Sequence, residues 1–198
     1  MEADTIYFVL LVIFSYLLGS IPFAILVTKL LGGVDPRSVG SGNIGATNVS
    51  RTSGKFAGVL TLFLDALKGA VPTLLALHIF SFDIMMVSVV GFAAFFGHLY
   101  PVYLRFKGGK GVATATGVML VLSPVPLLLS MLVIILLIAL TKYVSLGSIA
   151  ASVMFPIFVW FFEGDMVLTI LAAAIGIFII IKHIPNIRRL LKGTEEEY

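Results

Sequence analysis

Six long stretches of this chain, Thr5–Leu31, Phe56–Phe80, Ile84–Leu99, Val112–Thr141, Val144–Phe162 and Val167–Ile181, are almost free of charge and take up most of its length. A backbone in such a stretch must satisfy its own hydrogen bonds wherever water is absent, which makes each one an α-helix. Most are near the ~20 residues that span about 30 Å of hydrocarbon; Val167–Ile181 is short and borrows flanking residues. With 60% hydrophobic and 12% charged residues, the chain lacks the polar surface to enclose a soluble domain, and the same figures exclude disorder. It has no cysteine, so disulfides, thiolate metal sites and a thiol nucleophile are ruled out. A cleavable signal peptide does not fit either. Glu2 and Asp4 stand where basic residues belong, and Thr5–Leu31 is too long for a signal core. That stretch reads as a spanning helix bent at Pro22.

Val112–Thr141 as one helix would be about 45 Å long, too much for a single pass without strong tilt. Ser123-Pro124-Val125-Pro126 lies near its middle, where two prolines disfavour a continuous helix. Two short helices hinged at Pro124/Pro126 return the chain to the side it left. The chain is then an all-α integral membrane protein with seven transmembrane helices, N-terminus outside and C-terminus cytoplasmic. This reading places Arg37, Arg51, Lys55, Arg105, Lys107, Lys110, Lys142, Lys182, Arg188, Arg189 and Lys192 inside, with Lys29 at an inner helix end. Only Lys68 remains, within a helix, and the outer loops carry no Lys or Arg, which is the expected charge asymmetry. The expectation is one polytopic domain over residues 1–198, with cytoplasmic motif segments at about 32–55, 100–111 and 182–198. The run Glu195–Glu197 reads as a solvated tail.

These three segments carry more chemistry than connectors need. The first is Val39-Gly40-Ser41-Gly42-Asn43-Ile44-Gly45-Ala46-Thr47-Asn48 with Arg51; the second is Arg105-Phe106-Lys107-Gly108-Gly109-Lys110-Gly111-Val112-Ala113-Thr114; the third is Lys182-His183-Ile184-Pro185-Asn186-Ile187-Arg188-Arg189-Leu190. Glycines let a backbone approach a ligand and aim successive N–H groups at an anion. Lys and Arg supply countercharge, and Ser, Thr and Asn supply oriented hydrogen bonds. Gly108-Gly109-Lys110-Gly111 directly precedes an apolar helix, the arrangement of a phosphate cradle.

Other motifs fail on context. Gly40-Ser41-Gly42-Asn43-Ile44-Gly45 matches G-x-G-x-x-G, but a membrane helix precedes it where a dinucleotide site needs a strand. No G-x-x-x-x-G-K-[ST] occurs. His78-Ile79-Phe80-Ser81-Phe82-Asp83 has the H-x-x-x-x-D pattern of many glycerolipid acyltransferases, yet falls on a tiny outer turn without a basic or glycine-rich neighbour and reads as a polar helix end. The three histidines lack metal-ligand spacing, so no metal is expected. His98 reads as a helix-end cap beside the lysine–glycine loop, and Trp160 as an interfacial residue. Asp65 and Lys68 share a helix face at i, i+3, either a functional pair or a structural salt bridge.

The three segments resemble the signature motifs of the bacterial acyl-phosphate:glycerol-3-phosphate acyltransferases, the PlsY type. The matching residues are Ser41-Gly42-Asn43-Ile44-Gly45-Ala46-Thr47-Asn48 with Arg51, Lys107–Thr114, and His183-x-x-Asn186-Ile187-x-Arg189-Leu190 with Gly193-Thr194-Glu195. The resemblance implies transfer of a fatty acyl group from acyl phosphate to the sn-1 hydroxyl of glycerol 3-phosphate, giving lysophosphatidic acid and phosphate, the first step of phospholipid synthesis. It implies no cofactor, no acyl-CoA or acyl carrier protein as direct donor, no nucleic acid, and a place in the bacterial inner membrane with the chemistry at its cytoplasmic face; a monomer is the simplest expectation for the chain. It also assigns Ser41 and Arg51 to an essential motif, Gly108, Gly109 and Gly111 with Lys110 to glycerol 3-phosphate, His183 and Asn186 to activity, and Glu195 to structural integrity.

The chemistry of the residues agrees. One substrate is a water-soluble dianion and the other carries a tail that partitions into lipid, so both meet at the interface. Two phosphates repel and need several cations and N–H donors. Lys110, Arg51 and the glycine-loop amides hold them, with Gly42, Asn43, Gly45, Thr47 and Arg188 in support. Ser41, Asn48 or Asn186 orients a carbonyl or hydroxyl, and either His183 or a substrate phosphate takes the hydroxyl proton. Asp65, Lys68, His98 and Glu195 form a supporting set. The rival class is a transporter of a phosphorylated metabolite; it is disfavoured because the polar chemistry clusters at one face and no internal repeat is visible.

Overall fold

A computed structural model describes residues 2–80 and 83–197, with side chains from Thr5 onward. Among the described residues the secondary structure is helical throughout, in the order α1 (Glu2–Gly19), α2 (Phe23–Leu30), α3 (Ala46–Ser53), α4 (Lys55–Ile79), α5 (Ile84–Leu99), α6 (Val112–Leu122), α7 (Pro124–Thr141), α8 (Val144–Glu163), α9 (Met166–Lys182) and α10 (Ile184–Leu191). A 3-10 turn at Val102–Leu104 follows α5.

Four segments are long and apolar enough to cross a membrane: Lys55–Ile79, Ile84–Leu104, Pro124–Thr141 and Val144–Glu163. Two bent pairs, α1 with α2 at 44° and α9 with α10 at 56°, raise the number to six if each is one span. The first bend falls at Pro22, as the sequence predicts, because proline has no N–H for the helical ladder. The second lets the short Val167 run borrow residues on both sides. Helix α6, with 11 residues, rises only about 16 Å and is too short to cross alone. The break expected near the two prolines is at Ser123, and Pro124 opens α7, where its missing N–H costs nothing.

The chain divides into two compact units, up to Val121 and from Leu122 onward. In the first, α1 lies against α5, and α4 against α3 and α5. Small residues let the helices approach closely: a Cβ on Gly97 would run into the Tyr16 carbonyl, and one on Gly117 into that of Ala66. Phe95, Leu99, Met119, Val87 and Val90 fill the centre. Hydrogen bonds also link the helices: Ser15 donates to the Val90 carbonyl at 2.7 Å and Tyr16 to that of Tyr100 at 2.8 Å. In the second unit α8 packs between α7 and α9 around Phe155, Val159 and Ile175. Helix α7 buries only Pro126, Leu127 and Ser130, and turns Leu128, Leu132, Ile135 and Leu136 outward. Exposed leucine and isoleucine along a whole helix face suit lipid, not water. The chain is a multi-pass membrane protein.

Candidate active site at the glycine–lysine loops

The first motif is a loop wound around one amide. Asn48, buried on the inner face of α3, accepts a hydrogen bond from the Ser41 N–H at 3.0 Å. Its NH2 group donates to the carbonyls of Pro36, Val39 and Asn43 at 2.8, 3.2 and 3.0 Å. Asn48 thereby organises the loop, its NH2 group engaged by carbonyls and its Oδ1 by the Ser41 N–H. Ser41 and Gly42 are exposed, and Asn43, Gly45 and Thr47 are half-buried around this hub. Arg51 lies exposed in the last turn of α3. Arg37 is already gripped by Asp35, with an N–O distance of 2.6 Å, and this pairing holds the Asp35 carboxyl below its ordinary range.

The second motif is a strap. After the 3-10 turn, Arg105 and Phe106 take left-handed backbone conformations (φ 52° and 63°), an uncommon choice for two bulky residues in succession. The turn is held by the Phe106 N–H on the Pro101 carbonyl at 2.9 Å and the Lys107 N–H on that of Leu104 at 3.1 Å. The chain then runs back along the end of α5 to Lys110, which is half-buried, and enters α6 at Val112. The first amides of α6 have no helical acceptor and carry the positive end of the helix dipole, directly beside Lys110.

These two motifs share an anchor. Ile44 and Val49 from the first belong to a buried cluster with Ala24, Val27 and Ala57, and Leu104, at the start of the second, packs against it. Behind the strap lie the supporting residues of the sequence reading. Asp65 pairs with Lys68 at 2.7 Å, and His98 Nδ1 stands 3.7 Å from the same carboxylate oxygen. Lys68 also donates to the Ile21 carbonyl at 2.8 Å, at the break between α1 and α2, and sits over the Phe23 ring. Asp65 and Lys68 are side by side as i, i+3 spacing requires; that they clasp a helix break and His98 was not legible.

The third motif belongs to the second unit. His183 joins α9 to α10 and is 2% exposed. Its Nδ1 lies 2.8 Å from the Ile179 carbonyl, which can only accept, so Nδ1 carries the proton and the neutral ring has its lone pair on Nε2. Asn186 is buried one turn on. Its NH2 donates to Glu195 Oε1 at 2.6 Å, and its Oδ1 has no hydrogen-bond partner among the described residues. Glu195 also accepts from Ser145 at 2.7 Å and from Arg189 Nε at 2.7 Å. It reaches them because Gly193, with φ 65°, turns the chain back after α10. The solvated-tail reading is thus corrected for Glu195, whose side chain is only 6% exposed. Burial pushes its carboxyl up, but the bonds from Ser145, Asn186 and Arg189 outweigh that and hold it below the ordinary glutamate value. Arg189 is so engaged, while Arg188 on α10 is exposed. Sequence reasoning missed Ser145, which lies 50 positions from its partner and carries no motif.

Asp83 of the H-x-x-x-x-D pattern caps α5, accepting from the Met86 N–H at 3.1 Å, and His78 ends α4; Ser81 and Phe82 between them lie outside the described residues. The polar-helix-end reading accounts for Asp83.

The model of the glycerol-3-phosphate acyltransferase family matches residues 9–193. This chain belongs to that family. A glycerol-3-phosphate acyltransferase of Syntrophotalea carbinolica is 50% identical over 191 residues, covering 96% of this chain and 97% of the relative. One of Aquifex aeolicus is 48% identical over 188 residues, covering 95% and 97%. Among solved structures, PlsY, an integral membrane glycerol 3-phosphate acyltransferase, in its glycerol 3-phosphate form superposes with a TM-score of 0.92 at 47% identity, covering 97% of this chain and 96% of that one. Its lysophosphatidic acid form gives 0.90 at 46% identity, covering 97% and 95%. All three segments singled out for their chemistry begin within the matched residues of this acyltransferase family, and only the end of the third, Thr194 onward, lies past them.

Proposed function

We propose that this chain transfers a fatty acyl group from acyl phosphate to the sn-1 hydroxyl of glycerol 3-phosphate, releasing lysophosphatidic acid and inorganic phosphate. The hydroxyl oxygen bonds to the acyl carbon, the carbon–oxygen bond to phosphate breaks, and the hydroxyl proton leaves to a base. The observation that carries this reading is the Lys110 strap at the N-terminus of α6, entered from Leu104, which packs on the buried cluster that holds Ile44 and Val49 of the Ser41–Arg51 loop. A glycine strap, a lysine and unsatisfied helix amides are what a phosphate dianion requires. Arg51 adds a planar cation suited to a second phosphate.

In this reading Lys110 and the amides of Gly108, Gly109 and Gly111 hold glycerol 3-phosphate, while Arg51 and Ser41 attend the acyl phosphate. Gly42, Asn43, Gly45 and Thr47 shape that loop. Asn186, through its Oδ1, orients the attacking hydroxyl. His183 takes the proton on Nε2, a substrate phosphate being the other acceptor; Arg188 attracts the anions. An acyl phosphate is already activated, so positioning and charge stabilisation supply most of the catalysis. The basic residues of the three motifs and Lys142, with no Lys or Arg in the loops read as external, support seven membrane segments, the short α6 being one arm of a hairpin with α7, in a bacterial inner membrane, N-terminus outside and the chemistry at the cytoplasmic face.

The test is purified protein in detergent given acyl phosphate and glycerol 3-phosphate. Phosphate release that depends on both, with lysophosphatidic acid formed, is the expected result; substituting acyl-CoA should give no product. Product from acyl-CoA with none from acyl phosphate would overturn the donor assignment. A His183→Ala enzyme with near-normal kcat at saturating substrate would remove His183 as base.

A further inference from the structure

We infer that His98, whose Nδ1 edge faces Asp65, is a positioning residue for the Lys110 strap: its carbonyl and its ring together fix where Gly109, and hence Lys110, can lie. The inference rests on the acyltransferase reading above. His98 occupies the last turn of α5 and is 5% exposed. Its carbonyl accepts the Gly109 N–H at 3.2 Å. Its ring covers Gly109 on the other side. A Cβ added at Gly109 would strike Nε2 and lie 3.1 and 3.3 Å from Cε1 and Cδ2, so the three nearest atoms all belong to this imidazole. Gly109 does not have a positive φ, so its backbone conformation accepts a side chain; the ring stands where that side chain would go. Gly108 is equally tight, with a Cβ there meeting the His98 and Leu99 carbonyls and Pro101.

On its far edge the ring meets Asp65, 3.7 Å from Nδ1, and Asp65 is itself set by Lys68, which is tied to the Ile21 carbonyl. A line of contacts therefore runs from the break in the first membrane helix, through three buried polar side chains, to the residue before Lys110. Three ionisable groups are a costly way to hold α4 to α5, because apolar side chains of similar volume do so without desolvating charge. What apolar residues cannot do is clamp a flat ring at one edge while its face and its own carbonyl bracket a glycine. Lys110 is the next residue, and a misplacement of about 1 Å in such a group can cost roughly 100-fold in rate.

The experiment is a double-mutant cycle on the full-length enzyme in detergent, reading KM for each substrate, kcat and thermal midpoint. His98→Ala and Gly109→Ala are each expected to raise KM for glycerol 3-phosphate by about tenfold or more, leaving KM for acyl phosphate within about twofold. In the double variant the new Cβ occupies the space the ring vacated, so Gly109→Ala adds no further rise. Asp65→Asn, which keeps the shape and loses the charge, gives a smaller rise of the same kind. Costs that multiply independently, or an unchanged KM for glycerol 3-phosphate in His98→Ala with a wild-type thermal midpoint, overturn the inference. Should His98→Ala not accumulate as folded protein, Gly109→Ala decides alone, and an unchanged KM there refutes the clamp. Wild-type enzyme that releases no phosphate would instead refute the proposed function, so the two failures are distinct.

Discussion

Replacing Glu195 removes one carboxylate from three donors at once. Ser145, Asn186 and Arg189 approach it at 2.7, 2.6 and 2.7 Å, and its side chain is 6% exposed. A hydrogen bond to a charged group contributes about 1.5–3 kcal/mol, but Arg189 is 35% exposed and its share falls toward the surface value of about 1 kcal/mol or less. Glu195→Ala should then destabilise by about 3 kcal/mol. Glu195→Gln, which still accepts from Ser145 and Asn186 and loses mainly the ion pair, should cost about 1 kcal/mol. At roughly 2–4 °C per kcal/mol for a chain of this size, the thermal midpoint drops by about 6–12 °C for alanine and a third of that for glutamine. Activity adds a second readout. With Glu195 gone the Asn186 amide is free to rotate, so kcat falls in the alanine variant and is largely retained in the glutamine one. Thermal denaturation in detergent, followed by initial rates on the folded fraction, measures both. An alanine variant with midpoint and kcat unchanged would refute the reasoning that this carboxylate organises the third motif.

The depressed Glu195 carboxyl also predicts a pH dependence. Its stabilisation is complete above the ordinary glutamate value of about 4.5 and is lost as pH falls through the lower folded value. The midpoint gap between wild type and Glu195→Gln, measured from pH 7 downward, should therefore hold above the ordinary glutamate value and close as pH falls below it; a gap that widens in acid contradicts the assignment. Asn48→Ala leaves the Ser41 N–H and three carbonyls without their partner, so the first loop should loosen, with limited proteolysis faster within residues 36–45 and activity down by about tenfold or more. Protection and rate equal to wild type would show that the loop does not depend on this amide.

The sequence was most informative where physics acts locally. Proline at Pro22 and Pro124 breaks helices wherever it falls, glycine at Gly193 permits a turn, and Asp65 with Lys68 must share a face because a helix repeats every 3.6 residues. The same locality misled at Glu195. Three successive glutamates look like a solvated tail, and only the return of the chain after Gly193 tucks the first of them against Ser145. Asn48 shows the complementary limit. Its type and place fit a ligand-facing amide, and only the fold shows the Ser41 N–H and the three carbonyls that its side chain also binds. The prolines predict a short arm before Pro124, and the fold shows how short: α6 has 11 residues.

By itself, then, the order of residues determined that this chain lives in lipid, that it is helical, and which three polar segments interrupt it, because hydropathy and backbone satisfaction are properties of each stretch alone. Which polar group meets which was decided only by the fold. That Ile44 and Leu104 share one cluster, that His98 covers Gly109, and that a helix break offers its carbonyl to Lys68 are contacts between distant positions. Their energies exist only once the helices pack, so no local pattern in the chain can encode them legibly.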